Sequence, residues 1–168
     1  MSDATTRDVA TAYLRSPLSK FRPWAFEGRS PQRSFVMAAS EFPTRVLRSG
    51  NQIGKSSICV VDVLLTCLGW HPSSPLVPPV KVWISTLNRT DSLGRVLWPL
   101  MRELLPMEHV RSISWHRREP PVPESVLFRN SSEIAFKSNE QGRRMYQGAS
   151  IHLALVDEEH DGSYKQEE

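Results

Sequence analysis

The chain has 168 residues, 39% of them hydrophobic and 23% charged, with a formal net charge of +3 at pH 7. That length suits one ordinary domain with a real core, and the composition excludes a disordered or low-complexity chain. The modest positive charge permits an anionic partner without requiring one.

Arginines group locally as Arg117-Arg118 and Arg143-Arg144, pairs that serve either as phosphate contacts or as solvated surface. The N-terminus carries no apolar signal region. The longest apolar run, residues 58–68, is interrupted by Asp62 and falls far short of the roughly 20 residues that span a bilayer. A soluble, cytoplasmic protein without a membrane partner is the expectation. Cys59 and Cys67 lie eight apart in one expected helix. A helical rise of about 1.5 Å per residue separates them by about 12 Å, too far for a disulfide. Both read as small core residues, and no histidine or cysteine cluster has zinc spacing.

In chain order, residues 1–18 include a short helix over residues 8–14, followed by an aromatic and proline-bearing arm over residues 21–26. Ser30 then reads as the N-cap and Pro31 as the first position of a helix reaching residue 39. Gln32 sits in its first turn. A carboxamide offers a donor and an acceptor, the complement of adenine's N7 and N6 edge. Gln32, upstream of a phosphate loop, is a candidate adenine reader with Trp24 or Phe26 as stacking partner, although taken alone it reads as a surface glutamine.

Residues 44–47 form a short apolar, strand-like run leading into a glycine-containing turn. Gly54-Lys55-Ser56 and a helix over residues 57–68 come next. Strand, loop and helix in that order are what a phosphate-binding loop requires, because loop and helix N-terminal amides and the helix dipole all face an anion there. Gly50, Asn51, Gln52, Ile53, Gly54, Lys55, Ser56 and Ser57 are the candidate nucleotide contacts. Lys55 would reach the β- and γ-phosphates, and the Ser56 hydroxyl would ligate Mg²⁺. The match departs from the consensus at Ser49, which stands where the first glycine belongs; Gly50 comes one residue late. The alternative is that Gly50 and Gly54 only shape a turn and that Lys55 is a solvated surface lysine.

Four prolines between residues 69 and 79 make a loop, and residues 80–85 alternate as a strand. Residues 88–105 read as a helix with Leu93, Val96, Leu97, Leu100 and Leu104 on one face, Pro99 as a kink and Pro106 as its end. After a break at residues 120–123, two short strands over residues 125–137 flank an Asn130-Ser131-Ser132 turn as a hairpin. A loop over residues 142–148 precedes the last strand, residues 151–156. Strands alternating with helices after residue 44 predict an α/β layered domain with a mainly parallel sheet flanked by helices. The last strand runs into Asp157-Glu158-Glu159-His160. A buried parallel strand delivers the residues after it to the carboxyl edge of the sheet, where α/β proteins bind ligands. Asp157 there is a candidate Mg²⁺ acid and Glu158 a candidate catalytic base that positions the attacking water.

Several pieces in one order carry a resemblance: Ser30-Pro31-Gln32, residues 50–56, Gly69-Trp70-His71-Pro72, residues 82–85, residues 134–138, Tyr146-Gln147-Gly148 and residues 155–159. Together they resemble the ATPase part of the large terminase subunits of tailed bacteriophages, across residues 21–160. That resemblance implies a P-loop NTPase fold, with an N-terminal arm over residues 1–43 and a partial ATPase core over residues 44–168. It implies ATP and Mg²⁺ as cofactors, and ATP hydrolysis that drives double-stranded DNA into a procapsid. Gln32 would stand at adenine, Lys55 and Ser56 at phosphate and Mg²⁺, Asp157 at the metal and Glu158 as catalytic glutamate. The implied partners are duplex DNA, a small terminase subunit, a portal protein and further copies in a ring. Many members carry a basic residue within the loop as an arginine finger. Here Asn51 and Gln52 stand there, so Arg45 and Arg48 just upstream are the candidate substitutes.

The chain stops about ten residues after Glu158. Terminase-like ATPases continue with a strand that sits between the two motif-bearing strands, and then with a nuclease domain. A core incomplete at its C-terminus, with an open sheet edge and no nuclease domain, is therefore expected. Two alternatives accompany this reading. Asp157-Glu158-Glu159-His160 also fits the D-E-x-H signature of nucleic-acid helicases, and the departures at Ser49 and in the loop fit a catalytically inert nucleotide-binding remnant.

Overall fold

The computed structural model describes residues 3–21, 31–48, 54–116, 121–138, 146 and 149–157. Its first element is α1 (Asp3–Arg15), which begins before the helix expected over residues 8–14 and runs into a 3₁₀ turn, Pro17–Phe21, that buries Leu18. Next come α2 (Pro31–Met37), extended by a 3₁₀ turn at Ala38–Ser40, and α3 (Lys55–Leu68). Helix α3 is the centre of the core. Ile58, Val60, Val61, Val63, Leu64, Leu65 and Cys67 are all buried, so the helix is apolar on nearly every side. Each buried Val, Leu or Ile side chain contributes about 1.5–3 kcal/mol relative to exposure. The helix closes at Gly69, whose φ of 74° lets Trp70 N–H fold back onto the Leu65 carbonyl at 2.9 Å.

Strand β1 (Lys81–Thr86) leads to the helix read over residues 88–105. That helix has two pitches. Asn88 caps it, its side chain accepting from Asp91 N–H at 2.7 Å and Ser92 N–H at 3.0 Å. Arg89–Leu97 is wound as a π-helix and α4 (Trp98–Leu104) as an α-helix. The change of pitch falls between Leu97 and Trp98, just ahead of Pro99, which has no N–H to continue the ladder.

Strands β2 (Val110–His116), β3 (Val122–Phe128), β4 (Glu133–Ser138) and β5 (Leu153–Val156) complete one sheet in the order β2-β3-β4-β1-β5. Strands β3 and β4 are the expected hairpin. Ser131 turns with φ of 67°, Asn130 Oδ1 accepts from Ser132 N–H, and Asn130 Nδ2 donates to the Cys67 carbonyl at 2.8 Å. The turn is thereby tied to the end of α3.

Three expectations need correction. Strand β2 is absent from the predicted elements. Its register shifts twice against β3, between Val110 and Ser112 and between Ser114 and Trp115, and such shifts erase the period-two pattern by which strands are read. The sheet is mixed rather than mainly parallel, since β1 pairs parallel with β4 and β5 while β2–β3 and β3–β4 are antiparallel. Residues 44–47 form no strand in this sheet: Val46 is 71% exposed and Arg45 turns its side chain toward α3.

The alternation of β1 and β4 sends Val82, Ile84, Ile134 and Phe136 into the core with the helices, while Trp83, Ala135 and Lys137 on the other face stay half-buried. Trp98 stands edge-on to Phe136 and Trp115, locking α4 to the sheet. Beyond β1, β5 forms an edge of this sheet, with Ala154 exposed and Val156 53% exposed.

Candidate nucleotide site

Gly54 stands immediately before α3 with φ of 79° and ψ of 27°, a left-handed conformation that a residue with a Cβ adopts only at a cost. It delivers Lys55, Ser56 and Ser57 into the first turn of the helix, all half-buried. Ile58 N–H makes its bond to the Gly54 carbonyl at 3.0 Å, so the amides ahead of it lie outside the intrahelical ladder. A hydroxyl-rich first turn, a lysine and the positive end of a 14-residue helix therefore coincide.

Asp157 is placed from the other side. Strand β5 runs parallel to β1, and Asp157 N–H donates to the Ser85 carbonyl at 3.0 Å, extending the ladder one step past the strand. The Cys59 thiol, in the second turn of α3, is pushed up to about 12 by burial first, then by the negative charges of Asp62 and Asp157. Asp157 is thus within electrostatic reach of the helix that begins at Lys55. Ser85 also holds Tyr146, their hydroxyls 2.8 Å apart, and Tyr146 packs edge-on against Trp83.

A buried polar cluster on the same helix is one that sequence reading did not assemble. Asp62, buried in α3, takes two bonds from the Arg45 guanidinium, Nη1 to Oδ1 and Nη2 to Oδ2, each 2.8 Å. Arg45 also donates to the Phe35 carbonyl at 2.9 Å and lies over the Phe35 ring at 4.7 Å. His71 Nδ1 accepts from the Ser73 and Ser74 amides, which places the ring proton on Nε2, the nitrogen 2.9 Å from Asp62 Oδ1. Burial pushes the Asp62 carboxyl up, but the bonds from His71 and Arg45 outweigh it and hold it below the usual carboxylate range. The signal in the sequence was Asp62 itself, a lone carboxylate inside an apolar helix, which is almost never buried without a partner.

This geometry redirects one candidate. Arg45 is committed to Asp62 and Phe35 and has a side chain only 13% exposed, which removes it as an arginine finger for a phosphate. Arg48 is exposed. Gln32 is half-buried in the first turn of α2, a helix packed against α3. Gly50, Asn51, Gln52, Ile53 and Glu158 lie outside the described residues, as do Trp24, Phe26, Ser30 and His160. Among the described residues, then, Lys55, Ser56 and Ser57 occupy the first turn of α3, Asp157 follows the end of β5 beside Ser85 of β1, and Gln32 sits on α2.

No helix of the described residues is long and apolar enough to cross a membrane. No protein-family model and no solved structure matches the chain. Over 173 aligned residues, 81% of this chain, it is 27% identical to the terminase large subunit of Salmonella phage P22, of which it spans 34%. That similarity relates the chain, distantly, to phage terminase large subunits.

Proposed function

We propose that this chain is an ATP-binding segment of a terminase-type DNA-packaging motor and that it holds ATP·Mg²⁺ at the start of α3. The observation that supports the reading is the left-handed Gly54 turn into Lys55-Ser56 at the start of α3, with Asp157 at the carboxyl end of a strand that runs parallel to β1. The P22 relative supports the packaging context. Loop residues 50–54, Lys55, Ser56 and Ser57 would cradle the phosphates, and Gln32 would read the adenine edge.

A hydroxyl and a carboxylate form an oxygen-only donor set suited to Mg²⁺, so Ser56 and Asp157 are the residues that would hold it. The ion would neutralise charge developing on the phosphate oxygens. Glu158, one residue beyond Asp157, would orient the attacking water and accept its proton, while Arg48 is the candidate for stabilising charge on the γ-phosphate. In the whole motor hydrolysis would drive duplex DNA into a procapsid in the host cytoplasm. A ring of copies on a portal protein, served by a small subunit, would hold that DNA through salt-sensitive phosphate contacts. The test is binding of a fluorescent ATP analogue with Mg²⁺ to the intact chain and to Lys55→Ala, then hydrolysis with and without duplex DNA. Affinity lost in Lys55→Ala is the expected result; a folded chain that binds no nucleotide overturns the proposal.

A further inference from the structure

We propose that Asp62 is a positioning residue that sets base recognition against phosphate binding, by clamping α2 to α3. The inference rests on the nucleotide site proposed above. Lys55 and Asp62 are seven residues apart on α3, two helical turns, and so share one face. From that face Asp62 reaches α2 by two routes. Arg45 bridges it to the Phe35 carbonyl at 2.9 Å. His71 bridges it to Ser73, whose amide donates to Nδ1 and whose hydroxyl donates to the Val36 carbonyl at 2.9 Å.

Phe35 and Val36 are consecutive residues of α2, three and four positions after Gln32, so the two bonds fix both the place and the rotation of the helix that presents Gln32. The Asp62 and His71 side chains are 6% and 2% exposed, which shields the clamp from water and strengthens it. A base and a triphosphate are joined covalently, so a reader on α2 discriminates only if its distance from Lys55 is held to within about an ångström.

The experiment measures ATP and GTP affinity of the full chain with Mg²⁺, for wild type, Asp62→Asn and Arg45→Lys. Asp62→Asn keeps the shape and removes the charge; Arg45→Lys keeps the charge and removes the paired bonds. The expected result is an ATP preference in the wild type that falls about tenfold in each folded variant. A role confined to stability would lower the melting temperature and leave that ratio unchanged. Wild type that binds neither nucleotide overturns the nucleotide site and this inference with it. Wild type that binds ATP without preferring it to GTP, or variants that keep the preference, overturn the inference alone. Failure of both variants to fold overturns it too, because the clamp would then serve stability only.

Discussion

Replacing Asp62 by alanine should be among the most damaging single changes to this fold. The substitution leaves the Arg45 guanidinium, 13% exposed, without its carboxylate, and the Nε2–H of His71, 2% exposed, without an acceptor. Removing one partner of a buried ion pair costs about 3–5 kcal/mol, and an orphaned buried donor costs about 1–3 kcal/mol. Arg45 keeps the Phe35 carbonyl and ring, which offsets part of this, so the net loss should be about 4 kcal/mol. Against a typical total of about 5–15 kcal/mol, that is a large fraction. Urea denaturation followed by far-ultraviolet circular dichroism reads it directly. With a slope of about 2 kcal/mol per molar urea, the midpoint should drop by roughly 2 M without a change in slope. The double variant Asp62→Leu with Arg45→Met should recover part of the loss, since the buried charges leave together, but not all, because the Phe35 carbonyl and His71 lose their partners. A loss below about 1 kcal/mol for Asp62→Ala, the scale of a surface ion pair, would refute the buried clamp.

The Asp62 carboxyl titrates below its ordinary value in the folded chain, so its contribution is present above the ordinary carboxylate pKa and is lost as pH falls through the lowered one. Acid titration of stability should therefore be steeper for wild type than for Asp62→Asn below about pH 4, and parallel curves would count against the assignment. Gly54→Ala places a Cβ at φ of 79°, which should cost roughly 1–2 kcal/mol and lower the melting temperature by about 2–8 °C; an unchanged melting temperature would deny the left-handed turn. Asp157→Asn removes a charge that opposes the Cys59 thiolate, so alkylation of Cys59 at pH 9 should speed up about twofold or more, and an unchanged rate would separate Asp157 from α3.

Local chemistry in the chain settled a good deal. The apolar run after Gly54 reads as a helix, the alternation at residues 80–85 as a strand, and Asn130-Ser131-Ser132 as a turn joining two strands, because each rests on a pattern or a dihedral preference within a few residues. The glycine before Lys55 likewise announced a turn that its φ now carries. Strand direction, the irregular strand β2 and the partner of residues 44–47 were not determined this way, since they depend on which distant segments meet. Arg45 shows the limit most plainly. In the sequence it is a cation beside a phosphate loop; in the fold, Asp62, seventeen residues on, takes both of its outer nitrogens. A buried carboxylate must find a donor, and only tertiary packing decides which cation is close enough to satisfy it.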